Sequence, residues 1–216
     1  MQNILIVDDH PVLRRGLAAL IRSDLRLEVS GEADNHRDAM AQIELCQPDA
    51  VIVDIMLNRS DGLDLIKDLR SRFPSIPALV LSMHDETVYA ERALKAGAKG
   101  YLTKKQLDDT ILDALHTILS GETFLSDSLK SSLAAKYISG QTAESASSIE
   151  NLSNRELQVF RQVGRGRATR QIAERFNLSI KTVESHLEHI KQKLTLGSAA
   201  ELAQAATRWV ETGRTH

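Results

Sequence analysis

Three short, mostly aliphatic runs punctuate the first half of the chain: Ile4–Val7, Ala50–Ile55 and Ala78–Leu81. Each leads to a polar residue. Runs this short and this apolar read as strands buried on both faces of a parallel sheet. Leu27–Ala33 and Lys99–Thr103 are weaker strands of the same kind. Helical spacing fills the intervals at Pro11–Arg22, Asn35–Cys46, Asp61–Arg72, Glu86–Ala96 and Gln106–Leu119. The alternation predicts an α/β fold with a doubly wound, five-stranded parallel sheet. Right-handed crossovers then place helices on both faces.

The pattern changes after residue 122. A helix is expected over Asp127–Ile138, followed by SGQTAESASSIEN at 139–151, which is small, polar and without periodicity and reads as a linker. From Leu152 onward only helical spacing remains, with helices expected over 153–164, 169–176, 179–194 and 198–211. Ser153 and Glu156 have the spacing of a capping box. We therefore expect a domain at 1–122, a helical segment and linker at 123–150, and an all-α four-helix domain at 151–216.

Composition adds limits. Of 216 residues, 42% are hydrophobic and 26% charged, which suits two ordinary globular domains. No apolar run approaches the roughly 18 residues of a membrane span, so a soluble chain without a membrane partner is expected. The opening MQNILIVDDHP has no basic segment before its apolar run and is no signal peptide. A single cysteine, Cys46, excludes an internal disulfide and a cysteine-based zinc cluster, fits a reducing cytoplasm, and reads as a small buried hydrophobe. The net charge of −2 hides an asymmetry. Residues 1–125 hold 14 Lys and Arg against 20 Asp and Glu, a formal −6, whereas residues 126–216 hold 13 against 9, a formal +4. An acidic half joined to a basic half suggests two domains with different partners, the basic one a candidate for nucleic acid.

In open α/β sheets the chemistry lies beyond the carboxyl ends of the strands. Here the first strand ends in Asp8-Asp9, the third near Asp54, the fourth in Ser82, and the fifth runs into Lys104. Three carboxylates brought together repel one another by roughly 3 kcal/mol per pair at ~5 Å and an effective dielectric of ~20. A divalent cation relieves that repulsion, and oxygen-only ligands fit Mg²⁺. An ammonium and a hydroxyl beside such an ion stabilise the charge of a phosphoryl-transfer transition state, with Asp54 as the nucleophile.

In the C-terminal half, Val183, Leu187, Ile190 and Leu194 fall within about 60° of one another on a helix, which makes them the buried stripe. Lys181, Ser185, Glu188 and Gln192 lie opposite, polar and long enough to reach base edges in a major groove. The preceding helix, with Ile172, Ala173 and Phe176, reaches this one through Asn177-Leu178-Ser179. A helix, a tight turn and a second helix with a polar outer face describe a helix-turn-helix. Arg165, Arg167, Arg170 and Arg175 before it, and Lys191 and Lys193 beyond, suit phosphate contacts. His186 and His189 are three apart but lack a third metal ligand. Leu202, Ala203, Ala206 and Trp209 form a stripe that either docks on the helix-turn-helix or pairs with a second copy.

DDHP near the start, VIVDI some 45 residues on, ALVLS and then GYLTKK together resemble the receiver domain of two-component response regulators over about residues 2–120. LSNRELQVF followed by IAERFNLSIKTVESHLEHIKQKL resembles the LuxR-type helix-turn-helix of the NarL/FixJ branch over about residues 150–210, and His10-Pro11 is typical of that branch. The resemblance implies a flavodoxin-like receiver with Asp54 as phospho-acceptor. It implies Asp8, Asp9, Asp54 and the main-chain carbonyl of Met56 as Mg²⁺ ligands, Lys104 as the catalytic lysine, and Ser82 and Tyr101 as switch residues. It implies DNA contacts from Lys181, Thr182, Ser185, Glu188, His189 and Gln192, with Arg170, Lys191 and Lys193 on phosphates. The implied protein is a cytoplasmic DNA-binding transcription factor, phosphorylated by a sensor histidine kinase and homodimeric on promoter DNA once phosphorylated. It is no enzyme beyond its own phosphorylation and slow autodephosphorylation.

Some positions depart from the family pattern. Leu57-Asn58-Arg59 follows the acceptor where relatives carry proline, so that loop lacks a fixed φ and is expected to be more mobile. Lys105 stands where many relatives have proline after the lysine. In the recognition helix, Leu187 replaces a common arginine, and Glu184 and Glu188 form an acidic pair that rejects phosphate but accepts from cytosine N4. Without the resemblance, Tyr101 reads equally as a half-buried strand tyrosine. Met83 and His84 read either as a shield for an acyl phosphate or as a loop pair with no role. The rival readings are a metal-dependent phosphatase on the same sheet, a flavin-binding protein, and a regulator that works by protein contact alone. The DNA-binding half, the absence of a Ser/Thr/Gly-rich loop at Asp9-His10-Pro11, and the intact acidic set speak against them in turn.

Overall fold

The computed structural model describes residues 1–57, 60–83, 86–104, 110–138 and 148–212. It divides into two compact units, Met1–Ser139 and Gly140–His216.

The first unit is built on five parallel strands: β1 (Gln2–Val7), β2 (Leu27–Ala33), β3 (Ala50–Asp54), β4 (Ala78–Ser82) and β5 (Gly100–Thr103). Their order is β2-β1-β3-β4-β5. The winding therefore reverses between β1 and β3, whose carboxyl ends lie side by side at the topological switch point. Six helices accompany the sheet: α1 (Pro11–Ser23), α2 (His36–Cys46), α3 (Gly62–Arg72), α4 (Glu86–Ala96), α5 (Thr110–Leu119) and α6 (Asp127–Ile138). Residues 106–109, expected to begin the fifth helix, fall outside the described residues, as do His84, Lys105, Asn58 and Arg59.

Period-2 alternation explains how both faces are covered. Ile4, Ile6, Ile52, Leu79, Leu81 and Leu102 pack with Leu17 and Ile21 of α1 and Ile111, Leu115 and Ile118 of α5. The alternate residues Leu5, Val7, Val51, Val53 and Val80 are equally buried, and α2, α3 and α4 lie against the strands. Local chemistry sets the helix starts. Asn35 caps α2 by accepting from the Asp38 N–H, and Asp61 caps α3 by accepting from the Leu63 N–H. Helix α6 lies against α4 and within the first unit. Cys46 differs from its expected burial: at the last position of α2 it is half-exposed, with Sγ 3.4 Å from Gln42 Oε1.

The second unit contains α7 (Asn154–Gly164), α8 (Thr169–Arg175), α9 (Ile180–Leu194) and α10 (Ala199–Thr212). The expected linker ends earlier than its composition suggests. Ser148–Asn151 forms a 3₁₀ turn whose Ile149 is buried, and the turn packs on α9. One apolar residue in a polar stretch carries no periodicity, so this anchor has no signal in the sequence. Residues 139–147 fall outside the described residues. The capping box forms as its spacing predicts: Glu156 N–H donates to Ser153 Oγ at 3.3 Å, and Ser153 N–H to Glu156 Oε2 at 2.7 Å. Helix α10 docks on α7 and α9 within its own unit. The approach to α7 is so close that a Cβ at Gly164 would lie 2.3 Å from the Ala206 carbonyl oxygen. Phe160 and Trp209 face each other there at 5.9 Å between ring centroids.

Candidate functional site

The carboxyl ends of β1, β3 and β5 deliver charged groups to one buried point. Asp8 follows β1, Asp54 ends β3 and Lys104 follows β5; Asp8 is 1% exposed and Asp54 3%. The Lys104 ammonium lies 2.6 Å from Asp8 Oδ2 and 2.5 Å from Asp54 Oδ2. Asp54 Oδ1 accepts from the Met56 N–H at 3.0 Å. Burial, opposed by Lys104, pushes the Asp54 carboxyl up to about 6. For Lys104, burial alone would lower its pKa, but Asp54 and Asp8 outweigh burial and raise it. The lysine is therefore firmly cationic, and Asp54 is ionised above about pH 6 while remaining more basic than a surface carboxylate.

Asp8, Asp9, His10 and Asp54 each offer one donor atom, all within 4.8 Å of one another. His10 Nδ1 stands 2.7 Å from Asp9 Oδ1 and 3.1 Å from Asp8 Oδ1. The His10 N–H donates to Asp8 Oδ1 at 2.8 Å, and Arg14 donates to the Asp8 carbonyl at 2.5 Å. Asp8 Oδ2 and Asp9 Oδ1 are buried with only the ionic contacts just described and no aligned hydrogen bond. Crowded oxygens left in this state fit a hard divalent cation.

Ser82, the last residue of β4, is buried, and Tyr101 on β5 is buried too rather than half-buried. Register pairs Ser82 with Thr103 and Val80 with Tyr101, so Ser82 and Tyr101 share one sheet face. Met83 is 66% exposed. Met56 opens a two-residue ladder, Met56–Leu57 against Ser60–Asp61, which is too short to leave a pattern in the sequence. The ladder hands the chain to α3 at Gly62, where a Cβ would lie 2.1 Å from the Asp54 carbonyl oxygen. Sequence reasoning named His10 only as a family mark and missed Arg14 and Gly62 as supports of the site. For Gly62 the available signal was Asp61-Gly62, a cap residue followed by glycine shortly after β3.

In the second unit, Val183, Ile190 and Leu194 of α9 are buried, whereas Leu187, expected in the same stripe, is half-buried. Lys181, Thr182, Glu184, Ser185, Glu188, His189 and Gln192 are exposed. Several are already engaged. Thr182 Oγ1 is 2.7 Å from the capping Ser179 Oγ, and Lys191 pairs with Glu188 at 2.7 Å. Arg170 pairs with Glu174 at 3.1 Å. Lys193 reaches Glu156 at 2.7 Å, and His189 Nδ1 lies 3.9 Å from Glu156 Oε1. Burial and crowding by Arg161, Arg167 and Arg175 lower the pKa of Arg165, which marks a cluster of guanidinium groups. Arg161 joins the arginines anticipated from the sequence.

Residues 4–116 match the model of the response regulator receiver domain, and residues 150–206 that of the bacterial regulatory proteins of the luxR family. The chain is 33% identical to the oxygen regulatory protein NreC of Staphylococcus carnosus over 95% of its own length and 96% of that protein. It is 36% identical to the transcriptional activator protein ExaE of Pseudomonas putida over 94% of each. Among solved structures it resembles RcsB of Salmonella enterica serovar Typhimurium bound to a promoter in the presence of the phosphomimetic BeF3−. There the TM-score is 0.58, with 25% identity over 94% of this chain and 96% of that one. The charged pocket at the switch point and the four-helix C-terminal unit thus belong to one protein, a two-component response regulator of the NarL/FixJ family with a LuxR-type DNA-binding helix-turn-helix, and not an enzyme.

Proposed function

We propose that Asp54 is the phospho-acceptor, that its phosphoryl group comes from a sensor histidine kinase in the cytoplasm, and that phosphorylation controls promoter binding by residues 151–216. The observation that carries this reading is the meeting of Asp8, Asp54 and Lys104, with Lys104 Nζ 2.6 and 2.5 Å from the two carboxylates. Asp54 Oδ attacks the phosphorus of the kinase's phosphohistidine, the P–N bond breaks, and the imidazole nitrogen leaves and takes up a proton; with acetyl phosphate the acetate oxygen leaves instead. Asp8, Asp9, Asp54 and the Met56 carbonyl would hold Mg²⁺, which when bound supplies positive charge to the transferred group. Lys104 supplies a second cation from the carboxyl end of β5. The Ser82 hydroxyl donates to the new phosphoryl group, and Tyr101 repacks on the shared sheet face, which passes the state toward α4.

On the DNA side, Lys181, Ser185, Glu188 and Gln192 face the major groove, with Thr182 and His189 at its margin. Arg170, Lys191 and the arginine cluster hold phosphates. Lys193 contributes chiefly by fixing α9 to Glu156. Two copies bind as a homodimer once phosphorylated.

Acetyl phosphate with Mg²⁺ tests the first half. It labels the wild type, and Asp54→Asn, which keeps the volume but removes the nucleophile, takes up no label. Full labelling of the variant would falsify the assignment. In parallel, Lys104→Ala and Ser82→Ala still accept some phosphoryl but lose the phosphate-dependent change in DNA affinity.

A further inference from the structure

The acidic pocket is not built of oxygen alone. His10 Nδ1 joins the donor atoms of Asp8, Asp9 and Asp54, all within 4.8 Å of one another. It lies 2.7 Å from Asp9 Oδ1 and 3.1 Å from Asp8 Oδ1. Neighbouring ligands of an octahedral ion with bonds of about 2.1 Å stand about 3 Å apart, so this spacing suits two edges of such a shell. The shorter contact is not an aligned hydrogen bond. Asp9 Oδ1 is buried without a partner of that kind, on a side chain only 6% exposed. A nitrogen and a carboxylate oxygen this close, with no proton aimed between them, call for a positive charge that both can face.

Backbone geometry keeps the imidazole there. Pro11 starts α1 directly after His10, and the His10 N–H donates to Asp8 Oδ1 at 2.8 Å. His10 occupies the N-cap position of α1, yet its side chain makes no capping bond, so helix initiation does not account for the residue. Core packing does not account for it either, because the side chain is 63% exposed. Lys104 takes the other oxygen of Asp8, Oδ2 at 2.6 Å, so ammonium and imidazole do not compete for one atom.

We infer that His10 Nδ1 is a metal ligand, joining Asp9 and Asp54 around a first-row transition-metal dication, and that it tilts the pocket toward Mn²⁺ over Mg²⁺. The inference rests on the reading of the acidic pocket as a divalent-cation site. Mg²⁺ takes oxygen ligands and keeps its waters. An imidazole nitrogen favours first-row transition metals, and Mn²⁺ is the one of them that the carboxylates and carbonyl of this pocket also suit. In the tautomer with its proton on Nε2, His10 offers the Nδ1 lone pair to the ion.

Pulsed electron paramagnetic resonance of the full chain loaded with Mn²⁺ alone reads the ligand directly. The wild type is expected to show the modulation of a directly bound nitrogen, and its frequency should shift when histidine carries the heavy nitrogen isotope. His10→Phe keeps a planar ring and removes the nitrogen, so it should lose that coupling. Competition titrations should show its Mn²⁺ affinity falling at least roughly tenfold, the loss that follows even from removing an outer partner of a metal ligand, with Mg²⁺ affinity changed much less. A role limited to pairing with the two carboxylates predicts equal changes for the two ions, and that result would overturn the inference. Mn²⁺ that binds without nitrogen coupling, or a coupling that persists in His10→Phe, would overturn it while leaving the pocket a cation site. A wild type that binds neither ion would overturn both readings.

Discussion

Asp54 combines two demands that pull against each other. As the proposed nucleophile it must be ionised, yet burial at the switch point raises its pKa to about 6. The sign of the stability effect follows. With a folded pKa above the ordinary 3.8, the metal-free native state binds more protons than the unfolded one between these values. Metal-free receiver stability should therefore fall by about 3 kcal/mol as pH rises from about 4 to about 6, then level off. Denaturant titrations in EDTA across pH 4–8 check this, and Asp54→Asn should flatten the slope. Gly62 answers a steric demand instead. With a Cβ 2.1 Å from the Asp54 carbonyl oxygen, Gly62→Ala must displace either the end of β3 or the start of α3. A loss of about 1–3 kcal/mol is expected, with slower labelling by acetyl phosphate. Wild-type melting and labelling in this variant would show that the close approach is dispensable.

Glu156 is the tie between two elements. It closes the capping box of α7 and binds Lys193 near the end of α9. Burial alone would raise its pKa, but Lys193 and the Ser153 N–H outweigh burial and lower it. A depressed carboxyl pKa contributes stability above the unfolded value of 4.5, and that contribution is lost as pH falls through the lower folded value. Glu156→Gln keeps an oxygen to accept from the Ser153 N–H but loses the charge that pairs with Lys193, so it should cost about 1 kcal/mol near neutrality, and the wild-type and variant curves should converge in acid. Circular dichroism melts between pH 3 and pH 7 give the comparison. A difference that persists unchanged at pH 3 would assign the effect to packing rather than to charge. Because α9 hangs on this tie, the variant should also weaken DNA binding without any base-specific change.

At the scale of the whole molecule, charge divides along the chain: a formal −6 over residues 1–125 and +4 over 126–216. Among the described residues no helix is long and apolar enough to cross a membrane. The basic unit should dominate the salt dependence of DNA affinity, and Lys181→Ala should reduce its slope by about one charge if that ammonium contacts phosphate. Footprints on target promoters should show two-fold protection with half-site centres about 10 base pairs apart. Protection of one isolated half-site at saturating protein would exclude the dimer.

The apolar runs and their polar terminators made the receiver legible before any coordinates, because a strand buried on both faces has little compositional freedom. The gathering of Asp8, Asp9, Asp54 and Lys104 could be anticipated because strand ends in such a sheet converge at the switch point. The capping box at Ser153 and Glu156 and the α9 stripe were legible for the same reason: each is a local spacing rule. Contacts between residues far apart in the chain were not. Nothing local tells that Lys193 reaches Glu156, that α10 leans on Gly164, or that Ile149 anchors what composition calls a linker. Nor does spacing reveal that Gly62 lies against the Asp54 backbone or that Lys104 sits between two carboxylates. Local patterns determine which elements form and which chemical groups end them. Close approach, burial and the pKa of about 6 at Asp54 arise only when those elements pack, because desolvation and contact depend on what surrounds a group in space.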